Sequence, residues 1–447
     1  MRRPASIALV LLLIGGASCS YLQWRQEKKE QESQLRRDPG DLLLQKEFAP
    51  QDCFALTGGI TFIPGPIPDA PVLVGAFAHS GGRDLVGAHH VVGLSGHYGV
   101  LLPSGQYDLL AFEDLNRDGY FETDEVVWES PADRPVIVGD AESSDGMLVG
   151  GPAIRIDAGR APSTAPVPVH IVAATNPMVV ASVDDPIFAP EFGEMGVYKP
   201  NLFMAKTQRW VFSIGEPDFS KAQIVLVHGI DGTPRDFRTL IPSLDSSKYH
   251  VWLFYYPSGL RLDQLGLVLA RVVDRIAAAS HSPNPRLAIV AHSMGGLVGR
   301  RAVNELCRQS RPPYLRLYAS FDTPYGGVES AAGAVRRGTE LIPSWADVAS
   351  GSPFLTRLYE TPLPKDLPFH LFFGWGRPGD HGPSPAGDGT ISLASQLDPR
   401  AQAGAAGMSG YGDTHVGVLS DPEALKKLSE VLEVATKPSA PERRAAK

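Results

Sequence analysis

Apolar and polar positions alternate on two different rhythms along this chain. From Cys53 to about Ile171, short apolar or β-branched runs ("PVLVGAFA", "YGVLLP", "YDLLAFED", "VVWES", "RPVIVG") are cut by Gly, Pro and Asp turns without helical periodicity, which predicts a small antiparallel β-sandwich. Beyond residue 205 the rhythm changes: "AQIVLVHG", "YHVWLFYYP", "PRLAIVAHS", "YLRLYASFDTP" and "PFHLFFGW" read as buried strands. Between the earlier ones lie the helical stretches "PRDFRTLIPSL", "RLDQLGLVLARVVDRIAAA" and "MGGLVGRRAVNELCRQ". Strands apolar on both faces and each followed by a helix imply a mainly parallel sheet with right-handed crossovers. The fold expected is therefore α/β, preceded by an all-β domain. Residues 160–200 are rich in Pro and irregular, and place the boundary between the two.

Six segments make up the expected organisation. Residues 1–18 form a signal peptide, 19–48 a tether, 49–175 the sandwich, 176–204 a Pro-rich linker and 205–436 the α/β domain with a cap around 326–368; 437–447 is a disordered tail. The leader rests on Arg2 and Arg3 before "IALVLLLIGG", too short to span a bilayer. Ala17 and Ser18 before Cys19 resemble the bacterial lipoprotein signal, although Gly16 stands where that family usually has Leu. The resemblance implies lipidation of Cys19 and a membrane anchor, and Ser20 after it implies an outer-membrane address; a periplasmic or secreted protein is the alternative. With Cys19 so used, Cys53 and Cys307 fall in different domains and are expected to be free thiols.

Charge narrows the partners. Net charge is -8, no basic stripe stands out, and the dense run at 25–38 mixes both signs, so nucleic acid is not an expected partner.

Chemistry gathers around Ser293. The pattern A-x-S-x-G, with Ala291 in place of the usual first Gly, sits where a buried strand turns into a helix, as a nucleophile elbow requires. A helix N-cap is the competing role for this serine. "VLVHGIDGTPRDF" resembles the oxyanion loop of lipases and esterases of the α/β-hydrolase superfamily, which implies that the N–H groups of Ile230 and Met294 hold an oxyanion; His228 is expected to pack, not to act as a base. "AGDGTISLASQLD" resembles the acid loop of lipases and nominates Asp388, with Asp322, Asp380 and Asp398 as rivals. "YGDTHVGVLSDPEALKKL" resembles the late histidine loop and nominates His415 as general base, ahead of His292, His370 and His381. Chain order Ser, Asp, His is the one the superfamily uses.

The resemblance spans about 205–435 and implies hydrolysis of carboxylic esters through an acyl-enzyme, with no cofactor needed for catalysis. Residues 326–368, with Ile342, Trp345, Phe354, Leu355, Leu358 and Tyr359, resemble a lipase cap and favour hydrophobic or lipid acyl groups. Acyl transfer, phospholipid deacylation and a non-catalytic surface-binding lipoprotein are the alternatives.

One motif lies outside this constellation. "DLNRDGYFETDE" fits the calcium-loop spacing, with Asp114, Asn116, Asp118, Tyr120 (through its carbonyl), Glu122 and Glu125 as ligands of a structural Ca²⁺, though its flanks read as strands. The surrounding stretch resembles carboxypeptidase-regulatory or fibronectin-like modules.

Overall fold

A computed structural model describes residues 53–438 except 64–71, 80–84, 92–96, 117–119, 140–143, 146–147, 158–170, 173–178, 208, 281, 337–341 and 377–386, together with 26–30, 33 and 36. The leader, Cys19, most of the tether and the tail from 439 lie outside the described residues. Among the described residues no helix is long and apolar enough to cross a membrane.

Eight strands form the larger sheet: β1 (Val179–Val180), β2 (Val211–Ile214), β3 (Ala222–Val227), β4 (Tyr249–Phe254), β5 (Leu287–His292), β6 (Leu315–Phe321), β7 (Phe369–Gly374) and β8 (Gly407–Tyr411). Their order is 1-2-4-3-5-6-7-8, and only the β2–β4 pairing is antiparallel. β1 and β2 thus run against the other six strands, and the strand order is that of the α/β-hydrolase fold.

The central strands are buried along nearly their whole length and are predominantly apolar because both faces are covered. On one face lie α3 (Leu262–Ala279) and α4 (Met294–Leu306); α3 turns Leu265, Leu269 and Val273 inward at helical spacing. Burial of each such side chain contributes about 1.5–3 kcal/mol. The opposite face is closed by α8 (Pro422–Ala435) through Leu425, Leu428 and Leu432. Three short helices, α5 (Glu329–Arg336), α6 (Pro343–Val348) and α7 (Pro353–Leu358), occupy the expected cap.

The stretch 176–204 is not the irregular linker its prolines suggested. It supplies β1 to the sheet, then α1 (Pro190–Tyr198), and α2 (Pro200–Thr207) begins at its end. Both helices start on a proline, where the missing N–H costs nothing. Gly193 and Gly196 allow close approach: a Cβ on Gly193 would lie 2.5 Å from the carbonyl oxygen of Asp231. This segment therefore belongs to the α/β body. The helix expected over 234–244 is instead a 3-10 turn (Pro234–Phe237) and one short helical turn (Leu240–Ser243).

In the N-terminal region two five-stranded sheets share one core, with Leu56, Ile60 and Val100 from one meeting Val74, Leu109 and Ala111 from the other. The expected all-antiparallel arrangement needs correction. Strand Cys53–Ile63 pairs antiparallel with His97–Pro103 but in parallel with Leu148–Gly150 and Ile154–Asp157. Cys307 is a free, half-buried thiol whose pKa burial pushes up to about 11.

Candidate active site

β5 ends at His292 and α4 begins at Met294, so Ser293 alone makes the turn. It does so at φ 53° and ψ −131°, a conformation that L-residues with a side chain rarely adopt and that costs about 1–3 kcal/mol. The turn is anchored by Ser293 N–H donating to the Phe321 carbonyl on β6 at 2.8 Å. Its side chain makes no capping hydrogen bond to α4. Instead Oγ lies 2.8 Å from His415 Nε2.

His415 Nδ1 is 2.7 Å from Asp388 Oδ2. Asp388 is buried, and its remaining lone pairs are occupied: Oδ1 accepts from the N–H of Thr390 (2.8 Å) and Ile391 (2.6 Å), and Oδ2 from Gln396 Nε2 (3.0 Å). Charge-assisted bonds of this kind hold a carboxylate in one orientation. The His415 N–H also donates to the Asp388 carbonyl at 3.0 Å, tying the two loops together by backbone. The three nominated residues thus form one continuous hydrogen-bonded chain.

The loop after β3 runs beside the serine. A Cβ on Gly229 would lie 2.9 Å from Ser293 Cβ, so glycine is needed for the approach. Ile230 N–H makes no hydrogen bond among the described residues. Met294 N–H opens a helix and has no partner four residues back. Both donors are available to a developing oxyanion. His228 serves the loop as expected: its Nδ1 lies 2.8 Å from the Gly229 carbonyl oxygen, its Nε2 accepts from Tyr256 N–H at 3.3 Å, and its ring stacks on Tyr256 at 4.3 Å. Burial pushes its pKa down to about 4, so the ring is neutral at pH 7 and Nδ1 carries the proton.

Two of the rivals for the acid and base are engaged elsewhere. Asp398 caps the turn at Pro399–Gln402 and pairs with Arg400. His370 sits in β7 against Ser409, 3.1 Å away. Asp380 and His381 lie outside the described residues. His292 lies beside the triad: its Nε2 is 2.8 Å from the His415 carbonyl oxygen, and burial pushes its pKa down to about 3. It is a neutral donor that holds the histidine loop. Asp322, at the end of β6, is fully buried with Oδ2 4.0 Å from His415 Nδ1.

One carboxyl group near the loop after β3, that of Asp236, escaped the sequence reading. Burial, reinforced by the charge of Asp231, pushes it up to about 6. For Asp236 the folded form then binds its proton more tightly than the unfolded form, whose pKa is about 3.9. Stability is accordingly lost as pH rises from about 4 to 6. Asp236→Asn is expected to stabilise the protein by about 1–2 kcal/mol at pH 8 and to change little at pH 4, as read by thermal melts at both pH values.

The calcium-loop residues present a different picture. Glu125, expected as a ligand, accepts from the N–H groups of Leu115 (2.9 Å), Asn116 (3.3 Å) and Glu122 (3.1 Å). Glu122 and Glu125 form a reciprocal capping box around the turn Thr123–Glu125, and Tyr120 pairs as a strand residue with Val172. Asp114 and Glu125 are buried; Asp118 and Gly119 lie outside the described residues.

Comparison with known proteins adds to this geometry. Residues 220–357, about a third of the chain, match the family described as "Putative serine esterase (DUF676)". The matched segment holds the loop after β3, Ser293 and α5 to most of α7, and ends before Asp388 and His415. No curated protein sequence matches the chain. Among solved structures, the product of the lin2722 gene of Listeria innocua aligns at 15% identity and TM-score 0.37, covering 50% of this chain and 96% of that one. A mature lipase of Bacillus licheniformis aligns at 16% and 0.39, covering 50% and 98%. An esterase of Pyrococcus furiosus aligns at 16% and 0.35, covering 49% and 84%. Residues 220–357 are thus similar to serine esterases, and the similarity supports a hydrolase of ester bonds in general.

Proposed function

We propose that this chain hydrolyses carboxylic esters with an apolar acyl group, through an acyl-enzyme on Ser293. The observation that carries the reading is the chain Ser293 Oγ, His415, Asp388, with separations of 2.8 and 2.7 Å, on a serine whose hydroxyl does not cap its helix. His415 Nε2 takes the hydroxyl proton as Oγ attacks the acyl carbonyl. Asp388 stabilises the resulting imidazolium at Nδ1, and the Ile230 and Met294 N–H groups receive the oxyanion. His415 returns the proton to the leaving alcohol, and water releases the acid by the same steps in reverse.

The acyl preference rests on the surroundings of Ile230. Ile230 packs with Val197 and Tyr198 of α1 and with Ile342 and Trp345 of the cap, and the Tyr198 and Trp345 rings meet edge to face at 6.3 Å. An apolar wall next to the oxyanion donor suits an alkyl chain and disfavours a charged one. The test is labelling of Ser293 by a fluorophosphonate, followed by hydrolysis of p-nitrophenyl esters from acetate to palmitate with and without an added alcohol acceptor. Labelling at Ser293 and a rise of kcat/KM with chain length are expected. A folded protein that takes no label would overturn the reading, and acyl transfer outpacing hydrolysis would reassign it to a transferase.

A further inference from the structure

We propose that a cavity beneath the cap, bordered by the part of α6 that does not pack on Ile230, binds a long-chain fatty acid anion, the acid that the proposed reaction releases. The cavity stands on its own geometry, and the choice of occupant rests on the ester-hydrolase reading above.

The cavity measures about 560 Å³ and lies between the start of α3 and helices α5, α6 and α7. That size falls within the range of about 300–1,000 Å³ in which small-molecule sites occur. It is separate from the catalytic site: Ser293, Asp388 and His415 do not line it, nor do Ile230 and the residues packed around it. α6 stands between the two. Ile342 and Trp345 at its start join the wall beside Ile230, whereas the next two residues, Ala346 and Asp347, line the cavity. The space is preformed. An Arg261–Asp347 ion pair ties the start of α3 to α6, and Ser352 Oγ donates to the Asp347 carbonyl oxygen at 2.6 Å while accepting from the Leu355 N–H at 3.1 Å. Occupying it therefore needs little reordering of the chain.

Its walls are apolar and its rim is cationic. Ala332, Val335 and Phe354 supply carbon surface, and Val335 is left exposed. Five charged side chains border the space: Arg261, Asp263, Arg336, Asp347 and Arg357. Both acids are already engaged. Asp347 accepts from Arg261 Nη1 and from the Leu262 N–H, each at 2.9 Å, and Asp263 accepts from Arg301 Nε at 2.5 Å. Arg336 meets Glu329 at 2.8 Å with both side chains in water, where such a pair is weak and exchanges readily. The exposed Arg357 guanidinium makes no hydrogen bond or ion pair among the described residues. Two guanidinium groups with donors to spare thus border an apolar space, on a chain whose net charge is -8. A carboxylate held by these arginines, with its alkyl chain against Ala332, Val335 and Phe354, matches both the charge and the walls. A neutral ester would leave the arginines unmatched, and a dicarboxylate would bury its second charge.

The test is titration calorimetry of laurate at about pH 8, where the acid is ionised, into full-length protein whose Ser293 has first been blocked by a dodecyl fluorophosphonate. The blocking group fills the acyl side of the catalytic site, so what remains reports the cavity. Dodecanol, with the same chain length and no charge, is the comparison. About one laurate per chain is expected to bind, more weakly as salt is raised. Arg336→Glu combined with Arg357→Glu is expected to weaken laurate at least ~10-fold and dodecanol less than ~3-fold. Val335→Asp is expected to weaken both, because it sets a charge against the alkyl chain. All three positions are exposed, so these variants are expected to melt with the wild type and to take the fluorophosphonate within about twofold of its rate. A blocked chain that binds no laurate, or binds it equally well after both arginine replacements, overturns the inference while the labelling leaves the esterase reading standing. A chain that takes no label overturns that reading instead. Laurate is then titrated into the unblocked protein, where the same dependence on Arg336 and Arg357 decides whether the cavity is a site.

Discussion

Ser293→Gly is expected to abolish ester hydrolysis, lowering kcat by about 10⁵–10⁶, while melting no lower than the wild type. The two effects come from one geometry. Ser293 holds φ 53° and ψ −131°, which glycine adopts without strain, and its hydroxyl is directed at His415 rather than at the first turn of α4. Glycine therefore removes both the nucleophile and about 1–3 kcal/mol of backbone strain, set against the lost hydroxyl contact and the greater freedom of glycine in the unfolded chain. Ser293→Ala should be equally inactive but should melt below the glycine variant, because its Cβ keeps the strain. An N-cap serine predicts otherwise: both replacements would melt below the wild type, alanine by about 1 kcal/mol, and both would retain activity. Calorimetry of the three proteins beside a p-nitrophenyl ester assay separates the two accounts.

That strain bears on what could be read from the sequence. The central strands were legible because burial on both faces makes them predominantly apolar runs, as in "IVLV" and "LAIVA". Strand β8, "GMSGY", was not, since an edge strand with half-exposed residues has no such run to show. The prolines and glycines of 176–204 were read as punctuation, whereas Pro190 opens α1 and Gly193 admits the oxyanion loop. Both uses leave the same local signature as a linker, and only tertiary contact tells them apart.

The site divides in the same way. Ser293, Asp388 and His415 could be named because each stands in a short motif in the right chain order, and the structure brings all three within hydrogen-bond distance. Three other groups have no local signature. His292 supports His415 across 123 residues, Asp322 approaches it from another strand, and Asp236 titrates high because of what covers it. Their chemistry is set by distance and desolvation, neither of which a linear pattern records.

Gly295→Ala is expected to disable the site from one residue beyond the nucleophile's neighbour, with a loss of about 2–4 kcal/mol in stability and at least ~100-fold in kcat. Its added Cβ would lie 2.2 Å from the carbonyl oxygen of His228 and 2.6 Å from that of Val227. Both are backbone atoms at the end of β3, so relief requires either moving α4 or moving the loop that carries Ile230. Met294 N–H rides on the first and Ile230 N–H on the second, so either movement changes the separation of the two N–H groups proposed as oxyanion donors. Donors of this kind work only when fixed before the reaction, which is why a shift of about 1 Å is costly. Gly299→Ala on the same helix is the comparison. There the nearest atom is Tyr318 Cε2, a side-chain atom at 3.0 Å, and alanine gains about 1 kcal/mol in helix propensity. A smaller loss of stability with kcat nearly retained is expected from that variant. If Gly295→Ala melts and turns over like the wild type, then the contact of α4 with the end of β3 is not what fixes the oxyanion donors. Their placement would then have to come from His228, whose ring ties the same loop to Tyr256.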